Sequence, residues 1–304
     1  MDTVEYGGWP NCICLTHGKT ELIVTTDVGP RVIRMGFSGS QNLFKEVEEH
    51  MGKTGGDEWR SYGGHRLWHA PEASPRTYAP DNTPVQADWD GTALVLSQDV
   101  ESTTGIKKDI RIQFLSESGI VRLEHTLTNT NLWDVSLSPW ALSVMAQGGR
   151  CILPHEEYRP HPECLLPARP LVLWHYTDMS DPRWIWGEKY IQLKQDPTAG
   201  EEKQKVGLLN KQGWAAYVLN GDVFIKRFAC SDGAVYPDYG CNNEVYTDGG
   251  ILEVETLGPL TCLSANGGSV SHIEHWGLFR ADISEDEADI ERVLLPLVRQ
   301  VPLV

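Results

Sequence analysis

Ala215-Ala216-Tyr217-Val218-Leu219-Asn220-Gly221-Asp222-Val223-Phe224-Ile225-Lys226-Arg227-Phe228 decides the fold class. Asn-Gly readily takes positive φ at both central positions of a two-residue turn. The twist of that turn matches paired antiparallel strands, so Ala215–Leu219 and Val223–Phe228 read as a hairpin. Outward from it the pattern recurs. Glu21–Thr26, Val32–Phe37, Ala93–Ser97, Ile110–Phe114, Val121–Thr128 and Ile251–Leu257 are short runs rich in Val, Ile, Leu and Thr, punctuated by Gly, Asn, Asp and Pro. No alternation of strand and helix patterns interrupts them, which argues against a doubly wound α/β sheet. An all-β meander of antiparallel strands is expected. The tail alone reads as helix, with Ser284-Glu285-Asp286-Glu287 as a capping box and Ile290, Val293, Leu294 and Leu297 at helical spacing. Pro296 should end or kink that helix early.

The chain has 304 residues with neither linker nor internal repeat, so a single domain over 1–304 is expected. At 40% hydrophobic and 22% charged residues, it has enough apolar material to bury a substantial core. The formal charge of −16 argues against nucleic acid or an anionic membrane as a main partner, since both demand a basic face. Met1–Gly8 lacks the charged and apolar regions of a secretory signal, and no run approaches the ~18 apolar residues of a membrane span. Seven cysteines, with Cys12-Ile13-Cys14 on one strand and no CxxC pair, fit reduced core thiols. The expectation is a soluble cytoplasmic protein.

Two irregular stretches, roughly 46–90 and 154–190, are too long for ordinary hairpin loops and are expected to carry function. The first holds Tyr62-Gly63-Gly64-His65-Arg66-Leu67-Trp68-His69, where two glycines permit close backbone approach and Arg66 offers fixed donors to paired oxygens. His65 and His69 are four apart, but Gly63, Gly64 and Pro71 deny them a helix, and no Cys/His set has closed tetrahedral spacing, so no metal is expected. The second stretch holds Trp174-His175-Tyr176-Thr177-Asp178 and Asp181-Pro182-Arg183-Trp184, aromatic and polar groups that suit a polyhydroxylated ligand. In Leu252-Glu253-Val254-Glu255-Thr256 the pleat puts both carboxylates on one face about 7 Å apart. A solvated face would make them ordinary surface groups; a groove would make one of them a general acid or base. His272, Glu274 and Trp276 likewise share a face. GxSxG, Walker, HExxH and GxGxxG elements are absent, and no cofactor is expected.

Taken in order, Val28-Gly29-Pro30-Arg31-Val32, Asn42-Leu43-Phe44, Gly63–Trp68, Thr126-Leu127-Thr128-Asn129, Ser138-Pro139-Trp140, Asn243-Glu244-Val245-Tyr246 and Leu252–Pro259 span nearly the whole chain. In order and spacing they resemble the galactose mutarotase-like (aldose 1-epimerase-related) superfamily, most closely a poorly characterised bacterial branch. The resemblance implies a galactose-mutarotase-like super-β-sandwich with a short C-terminal helix and a concave groove that binds a monosaccharide or sugar derivative. In that family a carboxylate takes the anomeric proton while an imidazolium protonates the ring oxygen. Val254-Glu255-Thr256 resembles the strand carrying the catalytic glutamate, and Arg66 the sugar-binding arginine. The family's histidine after its Leu-Thr-Asn motif is missing, because the corresponding stretch reads Leu137-Ser138-Pro139-Trp140-Ala141. His175 or His65 could replace it from a loop. The groove is therefore expected to gather Glu255 and His175 as catalytic residues, and His65, Arg66, Trp140 and Arg183 as substrate contacts. Three functions stay open: an aldose 1-epimerase-like isomerase, a non-catalytic carbohydrate-binding or sugar-sensing module, and a sugar lyase or hydrolase on the same scaffold.

Overall fold

A computed structural model describes residues 1–115 and 119–304. The expected hairpin forms as Trp214–Leu219 and Asp222–Phe228, with Asn220 at φ 49° and Gly221 at φ 81°, the double positive φ that the dipeptide was expected to supply. Among the described residues the strands assemble into two antiparallel sheets of eleven and ten. The middle of the first runs Arg31–Phe37, Gly64–Ala70, Val135–Met145, Leu252–Leu257, Asn243–Thr247 and Gln204–Leu208. The middle of the second runs Trp214–Leu219, Asp222–Phe228, Ser269–Arg280 and Val121–Asn129. The main core lies between the sheets, where Val24, Met145, Leu123, Phe224 and Trp276 pack in one cluster. No described helix is long and apolar enough to cross a membrane.

Two local expectations change. Gly64–Ala70 is a fully buried central strand within the supposed long loop. Covered on both faces, it shows no polar and apolar alternation to read. Its two leading glycines serve backbone packing: a Cβ on Gly63 would lie 1.9 Å from the Lys45 carbonyl oxygen, and one on Gly64 2.4 Å from that of Val32. At the tail, Asp286 caps the helix by accepting from the Ala288 amide, in place of the expected Ser284. Pro296 does not end the helix. A wide π-type turn over Ile290–Leu294 precedes it, and the helix continues through Leu295–Val298. Proline has no N–H and crowds the preceding turn, and the wider turn relieves both demands.

The inter-sheet core also holds an ordered polar chain. His125 Nδ1 faces the His272 carbonyl at 3.1 Å and must donate to it, so His125 Nε2 accepts from His65 Nε2 at 2.7 Å. His65 Nδ1 then accepts from Ser143 Oγ at 2.9 Å. Beside it Lys226 pairs with Glu274 at 2.9 Å and donates to the Val254 carbonyl at 3.1 Å, while Thr256 Oγ1 bonds Glu274 and lies 2.8 Å from His272 Nε2. Burial, with Lys226 near, pushes His65 well below its ordinary value and His272 down to about 3.

A histidine whose folded pKa is depressed leaves the unfolded chain binding more protons below about pH 6.5, so stability is present above that value and is lost as pH falls. Seven histidines are held low, chiefly by burial: His50, His65, His69, His125, His155, His272 and His275. Three carboxyls held up by burial, Asp238, Glu244 and Glu253, act in the opposite sense over the same interval. The histidines outweigh them. The urea midpoint should therefore fall as the pH is lowered from 6.5 to 4.5. A flat or rising profile would contradict the neutral histidine chain.

Candidate functional site

Along each central strand of the first sheet alternate side chains point into the core, and the remainder point to the opposite face. Leu67, Ser143, Val254 and Thr256 belong to the inward set. The outward set comprises Arg66 and Trp68, Trp140 and Leu142, Glu253 and Glu255, Glu244 and Tyr246, and Lys205. In register Leu142 opposes Arg66 on one side and Glu255 on the other.

These residues form two charged units. Arg66 Nη2 donates to Glu253 Oε1 at 2.9 Å, and its guanidinium lies 4.4 Å from the Trp68 ring centroid and 5.7 Å from that of Trp59. Nε and Nη1 of Arg66 are buried without a hydrogen-bond partner. Burial raises the Glu253 pKa, and the Arg66 charge opposes the rise. In the second unit Lys205 Nζ lies 2.8 Å from Glu244 Oε2 and 3.0 Å from Glu255 Oε2. Trp140 Nε1 also donates to Glu255 Oε2, at 2.8 Å, whereas Glu255 Oε1 has no hydrogen-bond partner. The Lys205 ammonium is 5.0 Å from the Trp140 ring centroid and 4.7 Å from that of Trp174. Burial opposes its charge, yet the two carboxylates raise its pKa well above the ordinary value.

Above both units is a cavity of about 470 Å³. One bank is Trp59, Trp68, Tyr78 and Trp140, whose successive ring centroids are 5.2–5.5 Å apart. The other is Trp174, Tyr176 and Tyr246, the two tyrosines being 6.5 Å apart and edge to face. Hollows of about 600 and 580 Å³ lie beside Asn220-Gly221 and Gly148-Gly149, but no aromatic ring among the described residues lines either. Ring faces with a few convergent donors and carboxylates can cover apolar C–H surface while binding hydroxyls.

Neither a protein-family model nor a curated protein matches the sequence. Solved structures do match the fold. A galactose mutarotase-like protein from Lactobacillus casei aligns over 88% of this chain and 100% of its own, at 9% identity and a TM-score of 0.56. A protein provisionally named an aldose 1-epimerase from Klebsiella pneumoniae aligns over 94% of this chain and 85% of its own, at 12% identity and a TM-score of 0.59. The Slr1438 protein from Synechocystis covers 92% and 100%, at 12% identity and a TM-score of 0.57. The chain has the galactose mutarotase-like fold.

Within this mutarotase-like sandwich Arg66, Trp140 and Glu255 share the outward face, and Arg66 and Trp140 line the cavity. Glu255 sits beneath it, 0% exposed. His65 is a correction: one position from Arg66, it points the opposite way into the inter-sheet chain. His175 is another. It is exposed and does not line the cavity, whereas its neighbours Trp174 and Tyr176 do. Arg183 is the third. Its Nε and Nη2 are held by Asp181 at 3.0 and 2.8 Å, at the start of the Trp184–Trp186 strand of the second sheet. No histidine lines the mutarotase-like groove among the described residues.

The sequence reading missed Lys205, Trp59, Tyr78 and the role of Glu244. Lys205 carried one signal, an isolated lysine in an otherwise buried strand. The ligand atoms of His65, His125 and Glu274 lie within 4.8 Å of one another, but their nearest nitrogens already bond each other and Glu274 is paired with Lys226. They form a structural network.

The Arg66–Glu253 pair gives a direct test. Arg66→Met leaves a buried carboxylate without its cation and should cost about 3 kcal/mol in urea unfolding. Arg66→Met combined with Glu253→Leu should recover most of that loss. Additive losses in the double variant would refute the pairing.

Proposed function

We propose that the groove binds a monosaccharide or sugar derivative and interconverts its anomers in the manner of an aldose 1-epimerase, with Glu255 as general base. The observation that carries this reading is the set of unsatisfied polar atoms around an aromatic-walled cavity. Arg66 keeps two buried donors and Glu255 one buried acceptor without partners. Buried polar groups are ordinarily paired, so such a set suits ligand hydroxyls. Aromatic banks on both sides suit the C–H faces of a pyranose. The fold shared with mutarotase-like proteins agrees with this reading, as do the matches of Val254-Glu255-Thr256 and Arg66 to the family's pattern.

A second reading, a non-catalytic sugar-binding module, is favoured by one observation: Glu255 is fully covered by Trp140 and Lys205, and no imidazole lines the groove among the described residues. Polarimetry on freshly dissolved α-anomers of several aldoses separates the two, with spontaneous mutarotation subtracted and affinity measured alongside. An epimerase accelerates the change, and Glu255→Gln lowers its rate roughly 100-fold or more while affinity changes little. Affinity without acceleration identifies the binding module. Acceleration retained in Glu255→Gln removes that residue as base, and an absence of both binding and turnover with every aldose defeats the simple-sugar reading.

A further inference from the structure

Lys205 stands between two carboxylates. Glu244 and Glu255 are direct partners on adjacent antiparallel strands, both are fully covered, and both are ion-paired with the same ammonium, at 2.8 and 3.0 Å. Like charges directly opposed across a sheet repel, and two buried carboxylates with one buried ammonium leave one negative charge uncompensated. A buried site poor in water removes such a charge by binding a proton. The other groups facing Glu244 are Asp238 and Cys241, from the segment before its own strand, and Tyr176 across the groove; none of them is a cation.

The hydrogen bonds decide which carboxyl takes the proton. Glu255 Oε2 accepts from both Trp140 Nε1 and Lys205 Nζ, and both donors stabilise its charged form. Glu244 Oε2 is ion-paired with Lys205 at 2.8 Å, but neither Glu244 oxygen has a hydrogen-bond partner among the described residues. We infer that Glu244 holds a proton at neutral pH and acts, through Lys205, as the proton source opposite Glu255. This rests on the anomer-interconverting reading above, and it fills the position left by the missing family histidine. Burial, with Glu255 and Asp238 adding to it against Lys205, pushes the Glu244 carboxyl up to about 8, so it carries its proton near neutrality. Glu244 and Glu255 thus form an acid and base pair separated by environment.

The step balances. Glu255 accepts the proton of the anomeric hydroxyl, and the bond between C1 and the ring oxygen breaks as C1 becomes an aldehyde. The electron pair goes to the ring oxygen, which takes a proton from Lys205 Nζ, and Lys205 recovers one from Glu244. Ring closure on the other carbonyl face reverses every transfer. An ammonium has three donors; one bonds Glu255 Oε2 at 3.0 Å, and Glu244 Oε2 lies 2.8 Å from the nitrogen as an ion pair. Lys205 lines the cavity, so its third donor is available to a ligand. Glu244 touches no ligand and is a positioning and proton-supplying residue.

Two measurements test this. Infrared spectra across pH should show a protonated carboxylic C=O band near neutrality that disappears as pH rises through about 8 and is absent from Glu244→Gln. For mutarotation, kcat of the unmodified protein should fall above the same pH. Glu244→Gln should lower kcat roughly 100-fold, abolish that alkaline limb and leave KM nearly unchanged. Absence of the band at neutral pH overturns the location of the proton. A variant with normal kcat and the same limb overturns the supply role. If the unmodified protein accelerates no mutarotation, the epimerase reading and the supply role fall together, while the spectrum still decides where the proton lies. Should Glu244→Gln not fold, the pH dependence of band and rate in the unmodified protein decides the question.

Discussion

The middle strands of the first sheet are covered on both faces, and every polar side chain on them must find its partner without help from bulk water. Leu252–Leu257 shows how far this constraint reaches. Inward, Thr256 joins His272 and Glu274, and the Val254 carbonyl accepts from Lys226 of the second sheet. Outward, Glu253 binds Arg66, and Glu255 binds Trp140 and Lys205. Four of its six residues thus fix either the sheet-to-sheet contact or the groove. Buried charges gain little net stability from pairing, because desolvation offsets attraction, but losing one partner is costly. Such a strand is tied down at both faces, and the groove inherits that rigidity.

The parts of the fold that were legible in the sequence are those where one physical signal dominates. Asn220-Gly221 demands positive φ at two positions, and few structures other than a tight hairpin supply it. Val121–Asn129 alternates strictly between buried and half-exposed residues, so period two is plain. Gly64–Ala70 offered no such contrast, since histidine, arginine and tryptophan are all buried there and the strand looks like a polar, aromatic loop. The tail helix was recognisable by period, yet its cap shifted to Asp286 and its turn widened before Pro296, both set by local backbone accounting that a residue pattern does not express.

At the site, parity separated the residues that were foreseen from those that were not. Arg66 and Glu255 came from resemblance, and the pleat placed Glu253 beside Glu255. The same pleat, applied to Gly64–Ala70, would have turned His65 away from Arg66, but the segment was not recognised as a strand. His175 failed by the same kind of margin: Trp174 and Tyr176 reach the groove and the residue between them does not. Arg183 was claimed by a carboxylate two residues away, a local competitor that composition cannot rank. Lys205 escaped notice because a single lysine in a strand ordinarily marks a solvated edge. Only the assembled sheet brings it between Glu244 and Glu255 from strands forty and fifty residues away in sequence, roughly.

The two charged units beneath the groove differ in a way that bears on what the site can do. Arg66 and Glu253 are matched one to one, so this half is electrically neutral and retains unused donors, an arrangement suited to holding a polar ligand in a fixed orientation. Lys205 is shared between two carboxylates, and its half is neutral only with an added proton. Leu142 separates the two halves and opposes both Arg66 and Glu255 in register, so they are two interstrand spacings apart, about 10 Å at the backbone. That span brings an orienting unit and a proton-bearing unit within reach of a single small ring. On the proposed reading, this division lets a groove that no histidine lines among the described residues contain both a donor and an acceptor for protons. In that proposal, environment set by strand register gives the chemically identical carboxyl groups of Glu244 and Glu255 opposite roles.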